Sequence, residues 1–99
     1  MPNYYPVYLK LSGRRGVIFS EGPISEGKLS KLMDTGAQVA IISPQVTPVI
    51  RALAHGGSLE WTPREYQQGD LEGAFLGTAA TDNRSVNQEI AQEAERRGV

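Results

Sequence analysis

The stretch from Gly16 to Met33 limits what this chain can fold into more than any other. Gly16-Val17-Ile18-Phe19 is a short continuous apolar run, the pattern of a strand buried on both faces of a parallel sheet. Ser20-Glu21-Gly22 reads as a turn. Pro23 follows at a first helical position, where its fixed φ fits and its missing N–H is no loss. Ile24, Leu29, Leu32 and Met33 share one helical face, and Gly36 is a stop signal. A buried strand that enters a helix through a glycine-containing turn is the front half of a dinucleotide-binding unit.

The same alternation continues along the chain. Val39-Ala40-Ile41-Ile42 is a second apolar strand, closed by Ser43-Pro44. Thr47 is suited to cap a helix with Pro48 at its first position, Val49, Ile50, Leu53 and Ala54 forming its buried face, and Gly56-Gly57 ending it. His55 falls in the last turn of that helix, where it complements the helix dipole and has no catalytic neighbour in sequence. Ser58-Leu59-Glu60-Trp61 reads as a short strand near the sheet edge, followed by a polar connection to Gly73. Trp61 and Tyr66 are expected to cover the sheet edge rather than stack on a ligand.

Ala74 to Ala80 reads as the fourth strand, small at its C-terminal end. Thr81-Asp82 offers a cap for a last helix with Val86, Ile90, Ala91 and Ala94 as its apolar stripe. Glu93 and Arg97 form an i,i+4 pair in the favourable order, and Gly98 is the stop. Before the first strand, Val7, Leu9 and Leu11 suggest an extended lead-in. Ser12-Gly13-Arg14-Arg15 is expected to be an exposed turn rather than an anion site.

Alternating strands and helices imply an α/β fold, a Rossmann-like parallel sheet of order 3-2-1-4 with helices on both faces. Ligands of such sheets bind at the carboxyl ends of the strands, where the order reverses. Ser20–Ile24, Ser43–Gln45 and Ala79–Asp82 are expected to meet there. Val99 would begin a further strand, so the sheet is expected to be truncated, with the fourth strand an exposed edge that favours homodimer formation or self-association.

Composition narrows the function classes. The 99 residues suit one domain, 1–99, and ten basic against eleven acidic residues argue against a basic nucleic-acid footprint. With no cysteine and one histidine, thiol chemistry is excluded, and so is a multi-histidine metal site within one chain. No apolar run approaches the roughly 18 residues of a membrane span. The first residues lack the basic and apolar regions of a signal peptide. The expectation is a cytoplasmic protein with no metal, membrane or nucleic-acid partner.

Asn3-Tyr4-Tyr5-Pro6-Val7-Tyr8-Leu9, Gly36-Ala37-Gln38-Val39, Ser43-Pro44, Gly69-Asp70-Leu71-Glu72-Gly73-Ala74-Phe75 and Ala79-Ala80-Thr81-Asp82 with Val86-Asn87 occur in a familiar order and spacing. Over nearly its whole length the chain resembles the N-terminal domain of the siroheme synthases, the precorrin-2 dehydrogenases. The resemblance implies NAD-dependent oxidation of precorrin-2 to sirohydrochlorin, with ferrous iron insertion in some members, and a homodimer. It implies NAD contacts at Gly22, Pro23 and Ile24 and at Ser43, Pro44 and Gln45, with Thr81 on the facing wall and Lys28 matching a basic residue of the first helix.

Two departures from the family pattern bear on activity. Ser20-Glu21-Gly22 stands where the family has three glycines, so the φ freedom of glycine is missing at Ser20 and a carboxylate is added at Glu21. Both are expected to weaken the hold on NAD. Where an acidic residue usually holds the adenosine ribose stands Ser43, which could still hydrogen-bond it. The family's general-base aspartate lies on the strand expected to begin at Val99, so no catalytic residue is assigned. A tetrapyrrole substrate is expected only with a further segment. The alternative is a non-catalytic interaction or regulatory domain with a degenerate dinucleotide site.

Overall fold

The four apolar runs become the strands of one parallel sheet in a computed structural model, which describes residues 10–20, 26–79, 81 and 83–98. The elements run β1 (Arg15–Phe19), α1 (Glu26–Met33), β2 (Gln38–Ile42), α2 (Pro48–His55), β3 (Glu60–Thr62), β4 (Leu76–Ala79) and α3 (Arg84–Arg97). The sheet order is β3-β2-β1-β4, as the alternation predicts. All pairs are parallel, with Val17 opposite Ala40 and Gly77, and Ile41 opposite Trp61.

Both faces of the sheet are covered, and the two-residue period of a strand divides the core between them. Ile18, Val39 and Ile41 face Leu29 of α1 and Ile50 of α2, with Leu59 beside them. Val17, Phe19, Ala40 and Ile42 face Ile90 of α3 and Leu71 of the long connection before β4. The central strands β1 and β2 therefore have no polar side and read as unbroken apolar runs.

The boundaries differ from the sequence reading where backbone hydrogen bonds compete with the ladder. β3 begins at Glu60 because Ser58 N–H donates to Leu53 O, keeping the chain on the exit of α2. β4 begins at Leu76 because Ala74 N–H donates to Leu71 O, and the first link to β1 is Phe75 N–H to Arg15 O. Arg15 belongs to β1 instead of the preceding turn, and its guanidinium reaches Glu60 at 3.1 Å. Val7 and Leu9 lie outside the described residues.

Helix faces also need correction. Thr47 caps α2, accepting from Ile50 N–H, but Val49 is 53% exposed because Ile50 and Leu53 take the inward direction. On α3 the inward row is Val86, Ile90, Glu93 and Ala94, and Ala91 is exposed one step off it. The α3 cap is Asn83, whose Oδ1 accepts from Ser85 and Val86 N–H, rather than Thr81-Asp82. Asp82 lies outside the described residues.

Tyr66 does not cover the sheet edge. It packs edge-on against Phe19 with ring centroids 5.3 Å apart, and its hydroxyl donates to Glu93. Glu93 forms the expected i,i+4 pair with Arg97 and is 1% exposed. It also accepts from Gly69 N–H at 3.1 Å, Leu71 N–H at 3.0 Å and Arg97 Nε at 2.8 Å. Burial alone would raise its pKa, but the hydrogen bonds from Tyr66, Leu71, Gly69 and Arg97 outweigh burial and hold it below the ordinary carboxylate value. Burial and the same bond push the Tyr66 hydroxyl far above its usual value.

Glu93→Ala would strand a buried hydroxyl and two buried N–H groups and is expected to cost about 3–5 kcal/mol, measured by chemical denaturation. Because the folded pKa of Glu93 is depressed, its stabilisation is present above the unfolded carboxylate pKa of about 4.3 and is lost as pH falls through the lower folded value. Acid unfolding of the parent should therefore be steeper than that of Glu93→Gln. Equal pH profiles would contradict this assignment.

Candidate dinucleotide site

The carboxyl ends of the strands are brought level by the register. Phe19 lies opposite Ile42 and Ala79, and Ile42 lies opposite Thr62. The ladder extends one residue further: Ser20 N–H donates to Ile42 O at 3.1 Å and Ser43 N–H to Thr62 O at 3.2 Å. The order reverses between β1 and β4, and α1 and α3, which follow them, pack on opposite faces of the sheet, the arrangement that in such folds places a ligand crevice at this end. Of the residues singled out by sequence, Ser43, Pro44, Gln45 and Thr81 stand at these strand ends. Gly22, Pro23 and Ile24 lie outside the described residues.

Ser43 is fully buried. Its hydroxyl donates to Gln45 O at 2.7 Å, which turns the chain sharply after β2. Its carbonyl accepts from Trp61 Nε1 at 2.9 Å, fastening the loop to the edge strand β3. Pro44 is half-buried and Gln45 exposed, so they form the outer surface of this turn. Trp61 covers one side of the sheet near its edge, with the Arg51 guanidinium 5.6 Å from its ring centroid. Arg64, just past β3, is held by both oxygens of Asp70 at 2.8 Å.

On the other side of the crevice, Thr81 Oγ1 donates to Asn87 Oδ1 at 2.6 Å, and Asn87 Nδ2 donates back to Thr81 O at 2.9 Å. This reciprocal pair ties the exit of β4 to the second turn of α3. Asn83 completes it by capping the helix N-terminus, which faces the strand ends. The sequence reading missed Asn83 and Asn87. Asn83 carries its own signal, since asparagine caps as well as aspartate, but the sequence reading places the cap at Thr81-Asp82 just before it. His55 ends α2, away from the carboxyl ends of the strands, and is exposed.

A family model described as "Putative NAD(P)-binding" matches residues 7–99. The chain belongs to this NAD(P)-binding family. Its relatives are siroheme synthases. Siroheme synthase 1 of Aeromonas salmonicida is 33% identical over 97 residues, which cover 98% of this chain and 21% of that protein. Siroheme synthase of Chromobacterium violaceum is 34% identical over 97% of this chain and 20% of its own length. Among solved structures, "SirC, precorrin-2 dehydrogenase" superposes with a TM-score of 0.78 and 25% identity, over 89% of this chain and 44% of that one. The chain thus spans about a fifth of the length of these siroheme synthases. The Rossmann-like sheet and the membership of the siroheme synthase and precorrin-2 dehydrogenase domain family agree with the sequence reading. No helix among the described residues is long and apolar enough to cross a membrane.

Asn83→Ala removes the acceptor of two N–H groups at the start of α3 and should destabilise the protein by about 1 kcal/mol in urea unfolding. Asn83→Asp should retain most of that stability. A loss as large in the aspartate variant would argue against capping.

Proposed function

We propose that this domain binds NAD across the carboxyl ends of β1, β2 and β4 and serves the oxidation of precorrin-2 to sirohydrochlorin. The single observation that carries the reading is the reversal of strand order between β1 and β4, in a chain of the NAD(P)-binding family. NAD when bound supplies the hydride acceptor for the tetrapyrrole carbon skeleton. Gly22, Pro23 and Ile24 are proposed for the pyrophosphate side on the strength of the family pattern. Gln45 and the Pro44 backbone are proposed for the adenosine side, and Thr81 for the facing wall.

The adenosine half of the cofactor is proposed to lie at the turn after β2. The Ser43 hydroxyl is committed to the Gln45 carbonyl and fully buried, so its part is to shape the turn that meets the ribose. The exposed Gln45 is the polar side chain offered there. A 2′-phosphate would require a cation in this place. Arg64 is engaged by both oxygens of Asp70, which favours NAD over NADP. No acid or base for the dehydrogenation is assigned to these residues, and turnover is expected only with a further segment of protein present.

Homodimer formation or strand addition is proposed at β4. Among the described residues it is an edge strand of the sheet, with an apolar notch formed by Leu76, Ile90, Ala91 and Ala94 alongside. Sedimentation should detect concentration-dependent association. A single monomer species at high concentration would count against it.

Calorimetric titration of the 99-residue protein tests the cofactor reading. Saturable one-to-one binding of NAD is expected, with NADP weaker by roughly tenfold, as one missing charged contact implies. Glu21→Gly should tighten NAD binding by relieving repulsion of the pyrophosphate. Absence of binding at millimolar NAD, or a preference for NADP, would overturn the proposal.

A further inference from the structure

The opposite end of the sheet carries a concentration of positive charge that neither the dinucleotide reading nor the overall charge of the chain accounts for. A cleft of about 790 Å3 opens at the amino end of β1, between the turn that precedes β4 and the last turn of α3. Arg14 and Arg15 line it from the β1 side, Arg96 and Arg97 from α3, and Phe75 stands between them. No acidic residue among the described residues lines it.

Each guanidinium is held by one partner. Arg14 lies over the Phe75 ring, 4.6 Å from its centroid. Arg15 donates to Glu60 at 3.1 Å, Arg96 to the Gln68 side-chain oxygen at 2.8 Å, and Arg97 through Nε to Glu93 at 2.8 Å. Glu60 and Glu93 offset two of the four charges. Arg14 and Arg96 have no carboxylate partner among the described residues. A guanidinium presents five N–H donors, and each of these contacts uses at most a few of them.

Arg96 and Arg97 have a second explanation, since basic residues complement the negative end of a helix. That explanation covers part of the cluster only. Gly98 N–H already serves the Ala94 and Glu95 carbonyls, and Arg14 comes from a different element, the turn before β1. Four arginines fixed around one concavity also lose little side-chain freedom on binding, which favours a ligand.

We propose that this cleft binds a small multivalent oxyanion, with phosphate or carboxylate groups shared between Arg14 and Arg96. Arg14 and Arg96, with no carboxylate partner among the described residues, call for at least two negative groups, and planar guanidinium forks suit both phosphates and carboxylates. The volume is that of a small-molecule site. The site is separate from the dinucleotide end: the five residues of β1, at about 3.3 Å each, put roughly 16 Å between them. The two ligands therefore bind without displacing one another.

The test is calorimetric titration of inorganic tripolyphosphate and, separately, citrate into the 99-residue protein at low ionic strength, with and without saturating NAD. Saturable one-to-one binding of at least one anion is expected, undiminished by NAD. The anion that binds more tightly identifies phosphate or carboxylate as the preferred group. Arg14→Gln combined with Arg96→Gln should weaken that binding by about tenfold and leave the melting temperature unchanged, since both side chains are exposed. Arg14→Lys with Arg96→Lys should recover part of the affinity. Failure of both anions to bind saturably, equal affinity in the double glutamine variant, or competition by NAD would overturn the proposal.

Discussion

The Glu93 carboxylate joins the second layer of the molecule to the sheet. Its partners come from three places: Tyr66, Gly69 and Leu71 of the connection before β4, Arg97 one turn further along α3, and, through Tyr66, Phe19 of β1. That connection has almost no regular structure of its own. A buried carboxylate is tolerable only when its lone pairs are filled, and here the donors that fill them are the groups the connection would otherwise leave unpaired. One charged side chain thus specifies how a long polar segment packs on an apolar face.

The parallel sheet then sorts the chemistry of the chain to its two ends. At the carboxyl end, the strand order reverses between β1 and β4, beside the capped helices α2 and α3 and the hydroxyl-bearing turn at Ser43. At the amino end, the start of β1 and the finish of α3 come together because α3 returns antiparallel to the strands. Arginines separated by about eighty positions in sequence thereby share one cleft. The chain is nearly neutral as a whole, yet the fold makes this end locally cationic.

Much of the architecture was legible in the residues. Val17, Ile18 and Phe19, and again Val39 to Ile42, are apolar without alternation because both faces of these strands are covered, and that pattern identifies central parallel strands. Thr47 with Pro48, and Gly98 after α3, marked helix ends by local steric and hydrogen-bonding rules. The placement of Ser43, Pro44, Gln45 and Thr81 at strand ends was legible, since it follows from strand order. The roles at those ends were less so. Ser43 looked available to a ribose in sequence, and only its burial and its bond to Gln45 O show that the hydroxyl is spent on the turn.

By itself, the sequence determined the fold class and the strand order. These follow from hydrophobic period, turn chemistry and the handedness of crossovers, which are local or nearly so. Tertiary structure alone decided that Glu93 is buried, that Tyr66 belongs to the core, and that Arg14 and Arg96 are neighbours. Each of these depends on how segments distant in the chain meet, and a charged or aromatic side chain gives no local sign of which distant donor or ring will satisfy it.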